Sequence, residues 1–416
     1  MLGLAAIHPV RITAFRWNPV AAVLTLLGAL ATVWLPFLRS APNRMVSGEP
    51  LGLVQVLQSI PWAMGLLLGA VLLGCVVTSV ARPVRAVLWL QVMLACALIG
   101  LLLAVAASFA RQLALIQSPI ARTSLGGGFW SLLTVAWLLA ADGLQRLRAG
   151  AGTRTVWLLA TALPVAMLLG SGWCDELSIM KEYANRSEIF GAAVLRHLQI
   201  VGITLVLTIG LGLPMAWWLH QRRSSLAAGF SLLGLLNIVQ TIPSIALFGL
   251  LMAPLALLAV SFPGLAKAGI SGVGVAPGVI ALVLYSLLPV VRGTLAGLEQ
   301  VPSAVVNAAR GMGMTRAQIA LQVQLPLALP VVLSGLRSAT IAAVGMTTIT
   351  ALIGAGGLGA IMFEGLFSSA QDLVLLGVLP IVALAVLADA LFKLGIRQAQ
   401  AAVNTLTANV IDEVPA

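Results

Sequence analysis

Ten runs of roughly twenty apolar residues, nearly free of charge, exclude a soluble fold for this 416-residue chain. A bilayer core about 30 Å thick is crossed by about 20 helical residues, and backbone polar groups inside it must be satisfied within the segment. Each run therefore predicts a spanning helix: 19–38, 60–80, 84–109, 126–142, 153–172, 198–219, 226–252, 276–292, 327–350 and 373–395. Composition agrees, with 60% hydrophobic and 8% charged residues and a mean hydropathy of +1.08, where soluble domains carry roughly 25% charge. The expected fold class is an all-α integral membrane protein with about ten transmembrane helices.

Basic residues set the orientation, because Lys and Arg concentrate on cytoplasmic flanks. With the N-terminus inside, that side holds Arg11, Arg16, Arg82, Arg85, Arg146, Arg148, Arg154, Arg222, Arg223, Arg292, Arg310, Arg316, Lys393 and Arg397. The opposite side holds only Arg39, Arg44, Arg111, Arg122, Lys181, Arg186, Arg196 and Lys267. Both termini are expected in the cytoplasm, and the net charge of +11 is this topology signal, not a nucleic-acid surface. The first apolar run is too long for a signal-peptide core of roughly 7–15 residues, so it is expected to remain as a helix. Cys75, Cys96 and Cys174 show neither metal spacing nor a disulfide framework.

The two halves differ in character. Residues 1–172 predict a five-helix membrane extension with Trp-rich ends and no chemistry. Residues 173–195 form a polar external connector, which fits an interfacial helix, a docking point for an external partner, or a plain solvated link. From 196 to 400 glycines, prolines and polar residues fall inside the apolar segments, marking the working core, and 401–416 is expected to be a cytoplasmic tail.

Within that core, 293–326 is too long for a tight helical hairpin. Pro302 suits a helix start, where its missing N–H costs nothing. Ser303 to Arg310 then reads as a short helix ended by Gly311 and Gly313. Thr315 and Gln318 predict a capping box for a second helix, interrupted or kinked by Pro326 and Pro330. Ala308 and Ala309 would let another surface approach closely.

This loop, Asn307-Ala308-Ala309-Arg310-Gly311-Met312-Gly313 followed by Val323-Gln324-Leu325-Pro326, resembles the EAA loop of binding-protein-dependent ABC importer permeases. That family's pattern is Glu-Ala-Ala, three residues, Gly, nine residues, Ile, one residue, Leu-Pro. The spacing matches throughout, with Asn307 standing where Glu is usual and Val323 where Ile is usual. The resemblance implies that Asn307, Ala308, Ala309, Gly311, Gly313, Leu325 and Pro326 form the contact with a separate ATPase.

Three further elements, 237–249 (NIVQTIPSIALFG), 281–289 (ALVLYSLLP) and 351–359 (ALIGAGGLG), resemble permeases for glycine betaine, choline, carnitine and related osmoprotectants. The resemblance covers about 190–400 and implies a type I importer core, with the first 170 residues an extension found in a longer subset. Independently of it, Asn237, Gln240, Thr241 and Ser244 put polar groups inside a span where Pro243 breaks the ladder. Two readings fit: the lining of a translocation path, or a kink satisfied by interhelical hydrogen bonds. Arg337 and Asp389 lie deep in the ninth and tenth spans, where charges face each other or the bundle interior. A mutual ion pair is expected in preference to a substrate contact.

Nothing in the chain suits catalysis. Its three lysines precede Glu182, Ala268 and Leu394, so no P-loop Lys-Ser/Thr exists. His8, His197 and His220 form no metal motif. No cofactor is expected in the chain. The resemblance assigns ATP and Mg to cytoplasmic ATPase subunits, and adds an extracytoplasmic binding protein and a second permease, either a copy or a relative, in a bacterial cytoplasmic membrane. Ion-coupled transport by two inverted five-helix repeats and a non-transporting scaffold are the rival expectations.

Overall fold

The computed structural model describes residues 17–43, 46, 48–116, 120–221, 226–267 and 269–412. Arg11, Arg16, Arg44, Arg222 and Arg223 of the charge bias, His8, and residues 413–416 of the tail lie outside them. The chain divides into two compact units, Met1–Asn185 and Arg186–Ala416.

The first unit runs α1 (Pro19–Trp34), β1 (Leu38–Ala41), β2 (Glu49–Leu51), α2 (Leu53–Gln58), α3 (Trp62–Val80), α4 (Arg85–Ile116), β3 (Arg122–Leu125), α5 (Gly127–Arg146), α6 (Ala151–Gly170) and α7 (Ser178–Ala184). Its core lies along α4, whose buried Leu88, Val92, Ala95, Leu98, Ile99, Leu102 and Val105 recur at the spacing of one helical face. Against them lie Leu132, Ala136, Leu139 and Ala140 of α5. Gln91 on the α4 face ties the two helices, its Nε2 donating to Leu139 O at 2.9 Å. Asn18 starts α1 by accepting from the Ala21 N–H at 3.3 Å, while its Nδ2 donates to Asp142 Oδ2 at 2.5 Å. Arg146 Nε closes the cluster at 3.0 Å from Asp142.

Two details of this unit differ from the expectation. The first span stops at Trp34, not 38, giving a 16-residue helix, because Pro36 cannot donate to the helical ladder and redirects the chain into β1. The helices are joined by a small three-stranded antiparallel sheet in the order β2-β1-β3, with Arg39 opposite Pro50 and Ser124, which the sequence did not predict. Its strands are three or four residues long, below the length at which alternation is visible. Cys174, within the turn between α6 and α7, is completely buried. Burial, helped by the neighbouring Asp175 charge, pushes its thiol up to about 11, so it is neutral at physiological pH.

The second unit runs α8 (Ser187–Gln221), α9 (Leu226–Thr241), α10 (Ser244–Ser261), α11 (Pro263–Lys267), α12 (Val275–Glu299), α13 (Ser303–Gly311) and α14 (Arg316–Gln318). A wide turn (Ile319–Gln324) leads into α15 (Leu325–Thr347), a tight turn (Ile349–Ile353), α16 (Leu358–Phe367) and α17 (Gln371–Asp412). Among the described residues nine helical stretches are long and apolar enough to cross a bilayer, with three shorter apolar helices beside them. The expected seventh span, 226–252, is instead two helices, α9 and α10, separated at Ile242 and Pro243. The sixth span begins eleven residues early at Ser187, absorbing the end of the expected connector, and the tenth continues through the expected tail to Asp412.

α12 and α15 approach through glycine. A Cβ on Gly293 would lie 2.7 Å from the Gly335 Cα, and one on Gly335 would lie 2.9 Å from Pro289 O. Backbones this close exclude any side chain between them. Gly293→Val and Gly335→Val are each expected to destabilise the detergent-solubilised protein by about 1–3 kcal/mol through overpacking, read as a lowered thermal midpoint. Gly311→Val, in open space, tests whether the loss comes from the close approach and not from β-branching in a helix.

Candidate functional site

The loop between α12 and α15 is built on two local devices. Pro302 stands at the start of α13 with extended backbone (φ −60°, ψ 132°). The other end closes with Gly313 N–H donating to Arg310 O at 3.0 Å and Met314 N–H to Ala309 O at 3.2 Å. This pair of bonds is a Schellman closure, which needs a left-handed residue at its turn, and Gly313 supplies it at φ +82°. The sequence had assigned the ending to both glycines. Gly311 is the last helical residue, and Gly313 alone takes the left-handed conformation.

Thr315 and Gln318 form the expected box, with Gln318 N–H donating to Thr315 Oγ1 at 3.3 Å and Thr315 N–H to Gln318 Oε1 at 2.8 Å. The second helix is not separate, however. α14 passes into the wide turn Ile319–Gln324, where Leu325 N–H reaches back five residues to Ala320 O, and then into α15 without a break. Pro326 explains the widening, because it has no N–H for the carbonyl four residues before it. Ile319, Ala320 and Gln324 are buried, and Gln324 Nε2 lies 3.5 Å from His220 Nε2 on α8.

Of the loop residues singled out by sequence, Ala309 is 2% exposed and faces inward. Asn307, Ala308, Gly311, Gly313 and Pro326 are exposed, and Leu325 is half-buried. Met312 and Leu321, 76% and 66% exposed, add apolar surface that the motif does not include.

The polar residues around the α9–α10 break are placed differently. Pro289 in α12 cannot donate to the Tyr285 carbonyl four residues earlier, and Gln240 Nε2 takes that carbonyl at 2.9 Å. In return the Tyr285 hydroxyl donates to Ile242 O, beside the helix break. Arg292 donates to Asn237 Oδ1 at 2.9 Å. Thr241 bonds within its own helix to Ile238 O at 2.7 Å, Pro243 starts α10, and Ser244 is its first residue. Asn237 and Gln240 thus hold α9 to α12 by side-chain hydrogen bonds. Tyr285 and Arg292 were not singled out by sequence, although Pro289 four residues after Tyr285 marked an orphaned carbonyl.

Arg337 Nε donates to Asp389 Oδ1 at 2.5 Å across α15 and α17, and Lys393 Nζ lies 2.6 Å from the other oxygen. Lys393 was read only as a flanking charge, although its four-residue spacing from Asp389 is the helical pair distance. From α8, Arg196 Nε donates to Ala355 O of the glycine element at 3.2 Å, and His197 Nε2 lies 3.0 Å from Val344 O of α15. Gly356 and Gly357, both at φ +82°, lie against those two side chains. Among the described residues no group of three or more His, Cys, Asp or Glu could hold a metal.

Residues 16–180 match the family described as "ABC transporter permease YehY, N-terminal domain", and residues 208–397 match "Binding-protein-dependent transport system inner membrane component". The osmoprotectant import permease protein OsmW of Salmonella typhimurium is 39% identical over 47% of this chain and 84% of its own length. The choline transport system permease protein OpuBB of Bacillus subtilis is 35% identical over 46% and 80%. A chain of the inward-facing MetNI methionine ABC transporter is 22% identical with a TM-score of 0.44, covering 52% of this chain and 98% of that one.

Removing either side of the α9–α12 clasp should weaken the same contact. Gln240→Leu leaves the Tyr285 carbonyl without its donor, and Tyr285→Phe does the same to Ile242 O. Each is expected to cost about 0.5–1.5 kcal/mol. The double variant should cost less than the two added, as measured by denaturant titration in mild detergent.

Proposed function

The chain belongs to the ABC importer permeases of the osmoprotectant, choline and carnitine family, in the longer subset with an N-terminal membrane extension, and from that premise we propose that it forms the solute path for a quaternary ammonium osmoprotectant such as glycine betaine or choline. ATP hydrolysis comes from separate cytoplasmic subunits that grip α13. A binding protein delivers the solute outside, a second permease completes the path, and both termini face the cytoplasm of the bacterial cell.

One observation carries the coupling assignment. α13 exposes Ala308 and Met312 while burying Ala309, and the chain beyond it continues through the wide turn into α15 without a loose linker. A helix with one face held and one face bare suits insertion into a groove of a cytoplasmic partner. Displacement of α13 would then reach α15 through Ile319 and Ala320. ATP shifts the permease between states only by as much as the ATPase grips one loop position better than the other.

Reconstitution in vesicles tests this reading. Uptake should require the ATPase, ATP and the binding protein together, and uptake driven by an ion gradient alone would overturn it. Gly313→Val forces a β-branched residue to φ +82°, which costs about 1–2 kcal/mol. Transport per ATP hydrolysed should fall severalfold as the distorted loop loses its fit to the ATPase, with insertion unchanged. Undiminished transport by that variant would remove α13 from the mechanism.

A further inference from the structure

At the end of the first unit where α4 and α6 finish, β3, the turn after α6 and α7 border an open cavity of about 650 Å³. By the distribution of basic residues this end faces away from the cytoplasm. The size lies within the range of small-molecule pockets. Its walls are fixed by ion pairs: Lys181 Nζ lies 2.7 Å from Glu176 and donates to Ala121 O at 3.1 Å, and Arg122 lies 3.6 Å from the buried Glu182. These contacts tie α7 to β3 and to the preceding turn.

Asp175 is the exception among the charged lining groups. Its carboxylate is exposed and has no ion-pair partner among the described residues. Apart from the polar Asn185, the remaining lining is apolar or aromatic, with Ile120 67%, Leu169 39% and Tyr183 38% exposed. An unpaired carboxylate beside exposed hydrocarbon and a phenol ring disfavours small, strongly hydrated ions. It suits a cation whose charge is spread over methyl groups, which attracts a carboxylate and an aromatic face and sheds water readily.

We propose that this cavity of the N-terminal unit is a binding site for methylated ammonium groups, with Asp175 supplying the charge and Tyr183, Ile120 and Leu169 the apolar contact. The site is separate from any path through the second unit. Its binding needs neither ATPase nor binding protein, so its failure would leave the transport reading standing.

The test uses the full chain in nanodiscs of choline-free lipid, with radiolabelled choline as probe. Saturable binding is expected, competed by tetramethylammonium and not by equimolar sodium. Asp175→Asn and Tyr183→Leu should each weaken it at least tenfold while the thermal midpoint stays within a degree or two. Phosphatidylcholine nanodiscs separate the sources of the group: suppressed choline binding there assigns the cavity to a lipid headgroup, and unchanged binding assigns it to a free solute. Absence of saturable binding, or wild-type affinity in both variants, would overturn the proposal.

Discussion

In a low-dielectric surrounding every backbone carbonyl that a proline orphans must find another donor, and this requirement organises the working unit. Pro289 removes a donor within α12, and a glutamine of α9 replaces it. The break at Pro243 exposes a carbonyl, and the tyrosine of the same α12 turn covers it. Pro326 removes a donor at the start of α15, and the chain widens to a five-residue reach. These three prolines thus mark where α9 and α12 are cross-linked, where the seventh span splits and where the loop passes into α15. Each replacement bond contributes modestly, yet leaving the group bare would cost more than the bond contributes.

Most of the loop was legible because its signals are local. A proline start, a capping pair three residues apart and a glycine at a left-handed turn are each set by neighbouring residues. The Gln240–Tyr285 clasp was half legible: both proline defects stood in the sequence, but their pairing spans 45 residues and depends on packing. The β1–β3 sheet was not legible, since strands of three or four residues carry no period, and β1 and β3 are joined only through three intervening helices. The split of the seventh span was visible as Pro243 among four polar residues and underestimated, because long apolar runs continue on both sides of it.

The two units divide the labour of staying folded differently. The first relies on one long central helix with an unbroken apolar face and a few polar cross-links, among them Gln91 to Leu139 and Asn18 to Asp142. The second relies on small residues that bring backbones together, and on charged or polar groups that anchor irregular segments. Arg196 on Ala355 and Gln324 beside His220 each connect such a segment to α8. That helix therefore contacts both the glycine element and the turn that follows α14.

The backbone contact between Gly293 and Gly335 gives α15 a fulcrum. Leu325 lies ten residues before Gly335 and Thr347 twelve residues after it, which at the helical rise makes arms of about 15 and 18 Å. Tilting a helix on such a pivot returns a push at one end as an opposite swing of nearly equal size at the other. The tight turn and the glycine element begin where the far arm ends, so the loop and the glycine element sit on opposite arms of one helix.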